Sequence, residues 1–245
     1  MAETTLPDGP RQYLRVFRHH VREPISDAQG RVAREREEIA AERSAFEAFR
    51  TAVADLRPVT VSPSKRQRSV VGLDSQPDQV ERLCETFEST VMSVPHYEAV
   101  YDESLSQHML AELGDPAAAV VDSPTNTITP QQRSALLTAI DRTIDDRTAY
   151  ADVLAEEATA LATADSAIKE IVEGLDDVLI QDWYKAEFET RLDEIIRDRQ
   201  SVVHGRISPS PIDGRSLCVH LYADQPWTFP VLTAVARLQD AVVVE

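Results

Sequence analysis

The chain is poor in glycine, cysteine, lysine and aromatic residues, and each shortage removes a class of structure. Seven glycines in 245 residues leave too few tight turns for a β-barrel or sandwich. They form no GxxxxGK[ST] loop, GxGxxG turn or GxSxG elbow, so the backbone cradles that phosphate and acyl chemistry use are missing. The two cysteines, Cys84 and Cys218, belong to no CxxC pair, which excludes a disulfide framework and a zinc-knuckle spacing. Two reduced, packed thiols are expected. The start MAETTLPDGPRQYLRVFRHH is too polar for a signal peptide, and no later run approaches the ~18 apolar residues of a membrane span. A cytoplasmic protein that spans no membrane is expected.

Of the 25 basic side chains only Lys65, Lys169 and Lys185 are lysine, against 42 acidic groups and a net charge of -17. Such a surface suits molar salt, where solvated carboxylates keep the protein soluble and repulsion is screened over about 3 Å. We read the cytosol of a salt-accumulating organism. A GC-rich genome also replaces lysine with arginine, and some ordinary cytosolic proteins are simply acidic. The charge is uneven. Residues 1–76 hold 13 basic and 11 acidic groups, and the remainder 12 and 31, so a balanced N-terminal part precedes an acidic body.

What remains is helix. Pro10 to Glu23 reads as a short amphipathic helix with Arg11, Arg15, Arg18 and Arg22 along one side and Pro24 as its stop. Ser26 with Gln29 forms a capping box for a helix running to about Leu56, with Ile25, Val32, Ile39, Phe46 and Val53 repeating every seven residues. Residues 58–76 lose the period and read as a linker carrying Lys65, Arg66 and Arg68. Ser75 with Asp78 caps the next helix, which holds to Pro95. A further segment runs from Tyr97 to Leu113 and ends at Gly114, Asp115 and Pro116, before the loop DSPTNTIT. Thr129 as cap, Pro130 at the first position and Gln132 then open a very long helix. Its seam of Leu137, Ile140, Ile144, Arg147, Ala151, Leu154, Ala158, Leu161, Asp165, Ile168, Val172 and Leu175 alternates three and four without a slip, over about 65 Å at 1.5 Å per residue. Such a helix needs another long helix beside it, in this chain or in a second copy. Asp176 to Val203 gives one more helix stopped at His204 and Gly205. Leu217 to Tyr222 reads as a short helix, with a strand as the alternative, and a second helix follows from Thr228 to about Asp240.

Chemistry is hard to find in this pattern. None of the six histidines has a partner at HExxH or ExxH spacing, so no helical metal site is expected. His96 and His108 flank Tyr97, Tyr101, Asp102 and Glu103, a set that would be an acid and base only if it converged in a cleft. The pairs Asp145 and Asp146, Glu156 and Glu157, and Asp176 and Asp177 read as surface charge. Arg147 and Asp165 interrupt the long seam and read as register-setting residues, and in an antiparallel dimer they would face each other about Glu156. The basic arm offers nucleic-acid contacts, yet with about six phosphate contacts affinity falls roughly five decades per tenfold rise in salt. Tyr222, Trp227 and Phe229 form an aromatic cluster between prolines, either a docking surface or a clamp that holds the C-terminal segment down.

Three strings carry a resemblance: AREREEIAAERSAFEAF at Ala33 to Phe49, VMSVPHYEAVYDESLSQHMLAELG at Val91 to Gly114, and LCVHLYADQPWTFPVLTAVARL at Leu217 to Leu238. Over most of residues 26–240 the chain resembles a haloarchaeal family of helical proteins of unknown function. That resemblance implies a helical fold and a salty cytosol and carries no catalytic residue across. The expectation is an all-α, elongated bundle with long antiparallel coiled-coil helices, divided into a basic arm (1–25), a body (26–205) and a C-terminal segment (206–245). It acts through a protein partner or self-association, with no catalytic, cofactor or metal residues. The runner-up is a DNA-associated regulator using the arm.

Overall fold

The computed structural model describes residues 9–58, 79–123, 126–174, 182–205 and 214–243, and these residues contain helices and no strand. They are α1 (Gly9–Asp55), α2 (Gln79–Thr90), α3 (Tyr97–Val100), α4 (Leu105–Leu113), α5 (Asp115–Val121), α6 (Pro130–Gly174), α7 (Asp182–Gly205), α8 (Gly214–Leu221) and α9 (Pro230–Val243). The fold is all-α. No helix among the described residues is long and apolar enough to cross a membrane. The linker after Pro58, the Ser75 cap, the positions Leu175, Asp176 and Asp177, and the side chains of Arg11 and Arg15 lie outside the described residues.

Two compact units form: Glu37–Ala151 is one, and Met1–Arg36 with Asp152–Glu245 is the other. Both long helices contribute to each. In the Glu37–Ala151 unit the core is built on Phe46, Phe49 and Val53 of α1, Leu83 and Phe87 of α2, Met109 of α4 and Ile140 of α6. The Phe87 ring meets Phe49 edge-on, with centroids 5.1 Å apart. Here α1 and α6 run antiparallel, because Glu42 bonds Arg147, Arg50 pairs with Asp141, and Val53 accepts from Arg133. In the other unit Val21, Ile25 and Val32 of α1 are buried, as are Leu161 and Ile168 of α6, Leu192 of α7, Leu217 of α8 and Val231 of α9.

Helix ends explain most of the boundaries. Thr129 accepts from the Gln132 N–H at 3.2 Å, and Gln132 returns the bond to the Thr129 N–H at 2.9 Å, the capping box expected for α6. Arg133 caps the far end of α1, donating from Nε to the Val53 carbonyl at 3.2 Å and from Nη2 to the Ala54 carbonyl. Gln79 clasps the same region: its amide donates to the Arg57 carbonyl at 2.8 Å and accepts from the Ile128 N–H at 2.9 Å.

Three expectations need correction. Pro24 does not stop a helix, since α1 runs through it, and Ser26 and Gln29 lie in the helix interior instead of capping a start. Proline removes the N–H that would bond the carbonyl four residues back. That carbonyl, on His20, accepts from Arg237 Nη1 at 2.6 Å, while the same guanidinium holds Glu23 at 3.0 Å. An arginine of α9 therefore replaces the missing bond. Arg237→Ala should cost about 1 kcal/mol in chemical denaturation. In a Pro24→Ala background, where the helix bonds His20 itself, most of that cost should disappear, and strict additivity in the double-mutant cycle would refute the patch.

Second, Tyr97 to Leu113 is not one segment. It breaks at Asp102, whose φ of 44° is left-handed, a region that Asp tolerates better than most residues, and Ser104 with Gln107 starts α4 afresh. Third, Asp115 and Pro116 do not merely end a helix but open α5. Proline in the first turn donates no bond that the helix needs.

Candidate functional site

Glu42 stands three residues after Ile39 and four before Phe46, where the seven-residue repeat of α1 calls for an apolar side chain. It is 7% exposed. Its Oε1 accepts from His96 Nε2 at 2.9 Å and from the Tyr101 hydroxyl at 2.8 Å, and its Oε2 accepts from Arg147 Nε at 2.8 Å. Arg147 continues to Glu112 of α4 with both Nη atoms, at 3.0 and 2.9 Å, and its guanidinium lies 4.5 Å from the centre of the Phe46 ring. All three guanidinium nitrogens are thus engaged, and so are both carboxylate oxygens of Glu42.

Burial pushes the Glu42 carboxyl up, but the His96, Arg147 and Tyr101 contacts outweigh it and hold the group below the ordinary carboxylate range. Burial and the neighbouring Glu42 push the Tyr101 hydroxyl far up, so it stays a donor. For Arg147, burial alone would lower the pKa. Glu112 and Glu42 reverse this and raise it.

His108 is 2% exposed and sits among the rings of Tyr101, Tyr97 and Phe87, with centroids at 4.7, 5.0 and 5.8 Å. Its Nδ1 lies 3.3 Å from Glu103, and Asp102 is exposed. His96, Asp102 and His108 therefore do not converge: the two histidines serve different carboxylates and the aspartate serves neither. The outer side of the Glu112–Arg147 pair borders a cavity of about 790 Å³, lined also by Gly114, Thr138, Arg142 and Asp146.

Because the folded-state pKa of Glu42 is depressed, its contribution is fully present above the unfolded carboxylate value of about 4.3 and is lost as pH falls through the lowered one. Glu42→Gln should cost about 1–2 kcal/mol at neutral pH, and the deficit should close below about pH 4.3. Parallel stability curves for the two proteins across that window would contradict the assignment.

The Met1–Arg36 and Asp152–Glu245 unit repeats the arrangement with different residues. Glu157 of α6 is 0% exposed, which corrects its reading as surface charge. Arg199 of α7 grips it with two bonds at 2.9 and 2.8 Å, and the Tyr222 hydroxyl donates to it at 2.9 Å. Burial and then the adjacent carboxylate push the Tyr222 hydroxyl far above its usual range. Beside this pair an open trough of about 680 Å³ runs between α6 and α7, lined mostly by small and apolar side chains.

Residues 23–244 match the profile of a domain of unknown function, DUF7260. The chain belongs to that family. No curated protein and no solved structure is detectably similar to it. The DUF7260 span takes in both carboxylate clusters and the trough. The family resemblance seen in the sequence agrees in being one of unknown function.

The candidate residues of this DUF7260 chain fall as follows. Arg147 belongs to the Glu42 cluster. Asp165 takes two bonds from Arg22, at 2.9 and 2.6 Å, so one arginine of the basic stripe is already matched to the acidic body. Tyr222 and Trp227 are 1% and 8% exposed, with ring centroids 5.4 Å apart, and Phe229 is half-buried. Among the described residues no three His, Cys, Asp or Glu side chains gather as a metal site. Glu42 and Glu157 were missed as centres because their partners lie 42 to 105 residues away. The one available signal was a glutamate on the buried register of α1.

Proposed function

We propose that this chain is a non-enzymatic protein-interaction module, a cytosolic scaffold or regulator that engages partners through helical surfaces. The carrying observation is the open, largely apolar trough between α6 and α7. The side chains that would run a reaction are instead bound to one another, as the full engagement of Glu42 and Arg147 illustrates.

Apolar contact keeps its strength in salt, whereas phosphate contacts lose theirs. That difference fits the salty, haloarchaeal cytosol which the charge of -17 and the scarcity of lysine support. The pairing of Arg22 with Asp165 weakens the case for the arm as a nucleic-acid contact. The test is capture of the tagged full-length chain from native extract at molar potassium chloride, using a carboxylate-reactive cross-linker and separating bound protein from nucleic acid. Cross-linked protein partners are expected. Recovery of nucleic acid alone would overturn the reading.

A further inference from the structure

We infer that Val94–Glu103 is a strap that opens as a unit while the core of the Glu37–Ala151 unit stays folded, that Glu42 is its latch, and that its opening uncovers His108. This goes beyond the protein-binding reading and does not depend on it.

The strap is bonded mainly to itself. The Tyr97 N–H donates to the Val94 carbonyl, those of Ala99 and Val100 to the His96 carbonyl, and that of Tyr101 to the Tyr97 carbonyl, at 2.9 to 3.1 Å. Each of these four amides is thus satisfied inside the segment. Its neighbours belong elsewhere: the Ser93 hydroxyl is tied to α2 through the Ser89 and Thr90 carbonyls, both at 2.8 Å, and Ser104 with Gln107 opens α4. The apolar core takes in Met92 before the strap and Leu105 after it, but no residue of the strap. Only Tyr97 among its residues is buried. A single helical turn such as α3 has little stability of its own. Local backbone bonds and few buried apolar contacts are the marks of a segment that opens without global unfolding.

Side chains hold the strap down, through two carboxylates. His96 and Tyr101, one on each side of α3, donate to the same Glu42 oxygen, at 2.9 and 2.8 Å. Arg147 of α6 holds the other Glu42 oxygen, so the latch is fixed to the body and its two catches ride on the strap. At the far end Glu103 lies 3.3 Å from His108 Nδ1 of α4.

What lies beneath is His108, 2% exposed. Lifting the strap takes away the Tyr97 and Tyr101 rings that cover it and leaves that of Phe87 on α2. It also draws Glu103 off Nδ1. The strap is therefore a gate over this histidine and over the side of Glu42 that faces it.

The experiment follows amide hydrogen exchange of the full-length chain at neutral pH, by mass spectrometry on peptides from the strap and from α6. The four bonded strap amides should be at least about tenfold less protected than the α6 amides around Ile140, with little dependence on dilute denaturant. Tyr101→Phe keeps the ring, deletes one catch and should speed strap exchange about tenfold. If that variant fails to fold, His96→Ala deletes the other catch and should act on the same amides. Ile140→Val, at a core residue that is 0% exposed, should speed α6 exchange several-fold and leave the strap unchanged. Diethyl pyrocarbonate should modify His108 faster in Tyr101→Phe, in step with strap exchange. Strap amides as slow and as denaturant-dependent as those of α6 would overturn the inference. So would a strap that ignores the loss of a catch, or one that Ile140→Val speeds as much as α6. A His108 that stays unreactive while the strap amides exchange would refute the gate.

Discussion

Arg199→Met is expected to lower the unfolding free energy by about 3–5 kcal/mol, the usual consequence of removing one partner from a buried ion pair. The side chains of Arg199 and Glu157 are 3% and 0% exposed. Without the guanidinium, Glu157 keeps the Tyr222 hydroxyl as a donor but loses both charge-assisted bonds that Arg199 gives it. A buried carboxylate that loses its cation takes up a proton more readily. The deficit of Arg199→Met should therefore shrink as pH falls from neutral. Pairing it with Glu157→Gln removes the stranded charge and should restore most of the stability, because a pair replaced on both sides costs far less than a pair broken. Denaturant midpoints for the two variants, measured at two pH values, decide the matter. A loss under about 1 kcal/mol would mean that water reaches Glu157 and the pair is worth no more than a surface one.

This pair shows why so few of the basic residues are lysine. Arg199 and Arg22 each hold a carboxylate with two nitrogens, and Arg147 divides three nitrogens between two carboxylates. Arg133 reaches two carbonyls at the end of α1, and Arg31 donates to the Leu221 carbonyl, the last of α8, at 3.2 Å. Arg237 repairs the gap left by Pro24 while pairing with Glu23. A planar fork performs these double tasks, and an ammonium offers only a point charge. The arginine excess therefore has a structural cause beside any contribution from salt or genome composition.

The parts of the fold that local chemistry determines were legible in the sequence. Thr129, Pro130 and Gln132 mark the start of α6, Gly205 stands at the end of α7, and the seven-residue repeat places Ile25, Val32, Phe46 and Val53 in the core. What misled was local chemistry overruled from a distance. Pro24 is a sound stop signal until Arg237, more than 200 residues later, satisfies the orphaned carbonyl. Glu157 looks like the second of two surface acids until Arg199 folds onto it. Asp115 and Pro116 carry both a stop and a start, and only the packing of Ala117 and Val120 into the core selects the start. The candidate sites were hidden for the same reason: Glu42, His96, Glu112 and Arg147 share no spacing that a linear motif would record.

Trp227→Ala is the other substitution expected to be severe, at about 3–5 kcal/mol for a large aromatic side chain lost from a packed site. The cluster Tyr222, Trp227 and Phe229 was open to two readings, a docking surface or a clamp. A docking aromatic keeps most of its ring available until a partner arrives, whereas Trp227 is 8% exposed and lies against Tyr222. Tyr222 is in turn tied to Glu157, so the indole braces the residue that completes the buried ion pair. Removing it should therefore weaken that pair as well as open a cavity. Two observations separate the clamp from docking: the fall in denaturant midpoint, and its coupling to Tyr222→Phe, which keeps the ring and deletes the bond to Glu157. The clamp requires a large fall for Trp227→Ala and a double mutant less destabilised than the sum of the single changes. A Trp227→Ala protein that melts like the wild type yet loses a bound partner would return the cluster to the surface reading.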